Sequence, residues 1–118
     1  EWLSWRRWFD ARDLAKLQPQ RWLYFNYAHQ IVQAALAGQG LALARMPLIA
    51  DALAAGDLVE VLPGHRIDSP LAYWLLVGPR SSQRPEITAF CAWLEIQAQA
   101  TRKAIGDLPD LDLDAHRD

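Results

Sequence analysis

An α/β fold is predicted for this chain by three observations. Apolar residues Ile31, Val32, Ala35 and Leu36 recur one turn apart, two glycines follow at Gly38 and Gly40, and an apolar run from Leu41 to Ala44 comes directly after them. The first pattern gives a helix one stripe to lay on a sheet. Glycine suits the left-handed backbone that ends a helix, so Gly38 closes it and Gly40 lets the chain reverse into a short strand. Pro47 then opens a second helix, with Leu48 and Ala52, and Ile49 and Leu53, on its apolar face; Gly56 closes it before a strand from Leu58 to Leu62. The order helix, strand, helix, strand is that of one half of an α/β ligand-binding cleft.

The flanking elements follow from the same rules. Trp2, Trp5 and Phe9 have i, i+3, i+7 spacing, so residues 2–9 are expected as a helix with an aromatic face and Arg6 and Arg7 turned outward. Gln18, Pro19 and Gln20 form a loop. Trp22 to Phe25 is rich in strand formers, and Asn26 is placed to cap or turn the chain before the helix from Ala28. Leu71 to Val77 reads as a further strand, set off by Ser69 and Pro70 before it and Gly78 and Pro79 after it. Pro85 opens the last helix, of three turns or more, in which Ile87, Phe90, Leu94 and Gln97 share a face that Trp93 and Ile96 widen. After Gly106 come Asp107, Asp110, Asp112, Asp114 and Asp118, with few residues to bury, so residues 1–106 are expected as the folded part and 107–118 as an acidic, mobile tail.

Composition narrows the function. The chain has 118 residues, enough for one domain or part of one, and 52% hydrophobic against 22% charged residues is an ordinary globular balance. A formal net charge of −2 gives no electrostatic footprint for nucleic acid. The single Cys91 excludes an internal disulfide and, beside Phe90 and Leu94, is expected to be buried, which suits a reducing cytoplasm. Arg45 and Asp51 interrupt the most apolar region, so no membrane span is expected, and no signal peptide is visible.

The ordered set Ala34, Ala35, Leu36, Ala37, Gly38 and Gly40, then Arg45 and Pro47, then Ala55, Gly56 and Leu58, resembles the effector-binding domain of the LysR-type transcriptional regulators, with its helix ending in AALAGxG and its later AxGxL. Trp5, Trp8 and Phe9, with Phe90, Trp93 and Leu94, look like the tryptophan-containing helices of the branch that includes the glycine-cleavage activator. The resemblance covers residues 1 to about 100. It implies a periplasmic-binding-protein-like (type II) fold, of which this chain supplies the second lobe plus the return segment. It also implies a small, anionic effector held between two lobes, homo-oligomers, and DNA contact through an N-terminal winged helix-turn-helix that residues 1–118 do not contain.

The same resemblance places the effector site at two junctions. One is the turn Asn26, Tyr27, Ala28 and His29, where backbone amides at a helix start attract an anion. The other is the strand end Ala44, Arg45 and Met46, where a guanidinium can pair with a carboxylate through two parallel hydrogen bonds. An arginine there also serves as a surface ion-pair residue, and His29 also serves as a capping residue. An enzyme is not expected: Ser81, Ser82, Cys91, His29 and His65 supply reactive atoms, but no nucleophile elbow, zinc spacing or phosphate loop surrounds them, so neither a cofactor nor a metal site is expected. The alternative is a lobe of an extracytoplasmic solute-binding protein, which shares the two-lobe architecture.

Overall fold

The computed structural model describes residues 3–107. Trp2, expected on the aromatic helix, and the expected tail beyond Asp107 lie outside the described residues. Four helices follow in order: α1 (Trp5–Ala11), α2 (Ala28–Leu36), α3 (Met46–Ala55) and α4 (Pro85–Ile105). The chain divides into two compact units, Glu1–Ala72 with α1 to α3 and Tyr73–Asp118 with α4.

In the first unit, α1 begins later than the aromatic period suggests because Ser4 caps it: the Ser4 hydroxyl oxygen accepts from the Arg7 backbone N–H at 3.3 Å. Trp5, Trp8 and Phe9 then share one face, with Trp5 and Phe9 stacked at 5.5 Å and Trp8 edge-on to both at 5.9 Å. Phe9, at 9% exposure, is the buried hydrophobe among the described residues. The same helix is tied to the segment after α3. The Trp8 indole Nε1–H donates to the His65 carbonyl at 3.0 Å, and the Arg12 guanidinium donates to the Arg66 carbonyl. Each such bond contributes about 1 kcal/mol net.

Helices α2 and α3 lie where the glycine and proline punctuation puts them. Pro47 stands in the first turn of α3, and Gly56 ends it at φ +79°. All four helices close with one pattern of paired backbone bonds. In α2, for example, Gln39 N–H reaches the Ala34 carbonyl at 3.0 Å and Gly38 N–H the Ala35 carbonyl at 2.9 Å. In α1 the left-handed position falls on Asp13, at φ +57°, and Leu14 N–H reaches the Phe9 carbonyl at 2.8 Å.

The sheet differs from expectation. Segments 22–25, 41–44, 58–62 and 71–77, all expected as strands, are irregular, and no β-strand forms among the described residues. The α/β layering is therefore not assembled among the described residues. A strand needs a neighbouring backbone to take its N–H and C=O groups, and these segments have none; their apolar side chains stay open, with Tyr24 at 84% and Leu76 at 88% exposure.

In the second unit, α4 runs for 21 residues, with Glu86 in its first turn and Arg102 and Lys103 in its last, the arrangement its dipole favours. Its half-buried stripe is Ile87, Cys91, Leu94, Thr101 and Ile105. Phe90, expected on that face, is exposed and stacks on Trp93 at 6.0 Å. Cys91 is half-buried, not fully enclosed.

Candidate functional site

The turn 26–29 leads into α2 with Tyr27 as its capping residue, extended at φ −127° and ψ 142° and offering no side-chain hydrogen bond to the helix. Gln30 N–H bonds the Tyr27 carbonyl at 3.1 Å, which leaves the Ala28 and His29 amides without a protein acceptor among the described residues. That is the arrangement of a helix start open to an anion. Tyr27 and His29 stack at 5.7 Å with their planes 22° apart. Asn26, Tyr27, Ala28 and His29 are all exposed.

Arg45 caps α3 through its backbone: its carbonyl accepts from Leu48 N–H at 3.0 Å, while its side chain makes no capping bond. It is exposed, with half-buried Ala44 and Met46 on either side. Among the described residues its guanidinium enters no ion pair, unlike Arg66, Arg84 and Arg102. Among the described residues no hydrogen bond, ion pair or ring contact joins it to the 26–29 turn, so the structure does not bring the two junctions together.

One further feature was not legible beforehand. An open groove of about 330 Å³ runs along α2, lined by Phe25, His29, Gln30, Gln33, Ala34 and Gln39. Of the seven residues expected at the site, His29 alone lines it. Gln30 and Gln33 stand three apart on the side of α2 opposite its apolar stripe, and the glycine turn at Gly38 brings Gln39 back over Ala34. The i, i+3 glutamine spacing was the available signal, but it reads equally as a solvated helix face.

A second polar constellation lies on the segment tied to α1. Arg66 Nε and Nη2 donate to the two Glu60 oxygens, both at 2.9 Å, a bidentate pair. These hydrogen bonds hold the Glu60 carboxyl below its ordinary range, against a smaller opposing effect of burial. Among the described residues no cluster of His, Cys, Asp or Glu is arranged to hold a metal ion, and no helix is long and apolar enough to cross a membrane.

The described residues thus present helices joined by tight glycine turns to apolar segments. Residues 1–99 match the LysR substrate binding domain, and the chain belongs to that family. It is 31% identical over 94 residues to the HTH-type transcriptional regulator TrpI of Pseudomonas aeruginosa, across 80% of this chain and 31% of that regulator. The chain thus spans about a third of the length of the curated relative it matches. No solved structure matches it significantly.

Proposed function

We propose that this chain is the effector-sensing portion of a LysR-type transcriptional regulator: the second lobe and return segment of a two-lobed domain that closes on a small anionic metabolite. The observation that carries this reading is the family match over residues 1–99. The open Ala28 and His29 amides and the unpaired Arg45 guanidinium support the anionic ligand, since both favour a carboxylate or phosphate. Asn26, Tyr27, Ala44 and Met46 shape the two junctions. The ligand acts by binding the closed arrangement of lobes more tightly than the open one, and DNA contact comes from a winged helix-turn-helix outside these residues.

On this reading the segments 22–25, 41–44, 58–62 and 71–77 pair within a sheet completed elsewhere in the parent protein, which restores the α/β fold. Residues 1–106 form the domain portion, and 107–118 lie beyond it. The aromatic face of α1 and the Phe90–Trp93 pair support the glycine-cleavage-activator branch. A cytoplasmic homo-oligomer is the working form.

The test has two parts. Reading the parent gene upstream of Glu1 is expected to show a winged helix-turn-helix followed by another α/β lobe; a secretory signal with no DNA-binding helix would move the function to solute capture. In this chain, benzoate is expected to shift the Ala28 and His29 amide resonances, and Arg45→Ala to weaken that binding about tenfold, the value of a charge-assisted bond. Unchanged affinity in the variant takes Arg45 out of the site.

A further inference from the structure

We propose that the groove along α2 is a second binding site, one that takes a flat, uncharged ligand carrying both a hydrogen-bond donor and an acceptor. Its lining decides the ligand class. Phe25, Gln30, Gln33, Ala34 and Gln39 surround it with His29 at one end, and neither a carboxylate nor a lysine or arginine faces it. A cation finds no counter-charge there. Of the groups placed for an anion, Ala28, Tyr27 and Arg45 do not border the groove, and only His29 is shared with it.

What the groove does offer is three carboxamides, each with two N–H donors and one carbonyl acceptor. Those of Gln30, Gln33 and Gln39 make no hydrogen bond to the rest of the described protein, so they are available to a ligand. The Phe25 ring, 40% exposed, supplies an apolar wall on which a flat ring can stack. Backbone geometry holds the parts in place. Gln30 and Gln33 are fixed by α2, and Gln39 is fixed by its own N–H bond to the Ala34 carbonyl at 3.0 Å across the Gly38 turn. The groove is separate from the anion site and shares only His29 with it.

Benzamide and benzoate test this, because the two have nearly the same shape and differ in charge and donor content. Each is titrated into the full chain and followed by nitrogen–proton correlation spectra. Benzamide is expected to shift the side-chain NH2 signals of Gln30, Gln33 and Gln39; benzoate is expected to leave them and shift the 28–29 backbone amides. Gln33→Met, a substitution of similar length and good helix propensity, is expected to weaken benzamide binding about fivefold, the value of one hydrogen bond, and leave benzoate binding unaltered. Gln39→Met, outside any helix, gives the same reading if the first variant disturbs α2. Glutamine signals unmoved by benzamide, or moved as strongly by benzoate, overturn the proposal; failure of benzoate at the 28–29 amides counts only against the anion site.

Discussion

Arg66 owes its place to two kinds of contact. Its side chain grips Glu60 through both carboxylate oxygens, and its own carbonyl takes the Arg12 guanidinium. Glu60 thereby becomes a residue whose charge matters to the fold. Its carboxyl is held below the ordinary range in the folded chain and reverts to that range on unfolding, so the unfolded chain binds the proton more readily in acid. The stabilisation is fully present above the ordinary carboxylate range and is lost as pH falls through the lowered value. Glu60→Gln is expected to cost about 0.5–1 kcal/mol at neutral pH, a half-exposed pair being worth no more, and to flatten the acid limb of stability. Urea titrations of both proteins between neutral pH and strong acid check this; parallel curves would show that the pair contributes nothing.

At the scale of elements, the helix ends repeat one solution on different residues. Gly38, Gly56 and Gly106 take the left-handed position after α2, α3 and α4, while after α1 the same position falls to Asp13. Aspartate tolerates that backbone through its short polar side chain, but less well than glycine. Asp13→Gly is therefore expected to raise stability by about 0.5 kcal/mol, read as a higher midpoint in thermal unfolding; a lower midpoint would show that the Asp13 side chain contributes more than its backbone costs. The same comparison explains what was legible in the sequence. Pro47, Pro85, Gly56 and Gly106 announce helix bounds by local chemistry, so α3 and α4 fall close to expectation. The end of α1 was not announced, because Asp13 is only an occasional left-handed residue. The inner stripe of α4 also differs from expectation: Ile87, Phe90 and Cys91 all fit a helical period, and only the packing partners decide that Cys91 turns inward and Phe90 outward.

For the whole molecule, the strands expected at 41–44 and 71–77 show the limit of local patterns. Leu41, Leu43 and the run from Leu71 to Val77 have strand composition, but a ladder is a relation between two segments, and its second member is not supplied by proximity in sequence. The helix starts at Ala28 and Met46 were legible because such starts are local, and the groove was not, because it depends on how the Gly38 turn brings Gln39 back over Ala34. Backbone amides in 71–77 are expected to exchange with solvent within seconds in this chain, far faster than those of α2, and, on the proposed function, to be protected in the intact parent protein. Exchange followed by mass spectrometry distinguishes the cases: persistent fast exchange in the full-length protein would remove 71–77 from any sheet.

The bonds from Trp8 to residue 65 and from Arg12 to residue 66 join positions 57 and 54 residues apart in sequence. This separation sets an order of events as the chain is made. At about 5–20 residues per second, α1 leaves the ribosome roughly 3–10 s before its partners do, and during that interval its indoles have only local neighbours. The intervening loop contains α2 and α3, whose own turns shorten the span that must close. Docking of α1 is thus a late step in the biogenesis of this unit, and the interval before it is when the aromatic face is open to a chaperone.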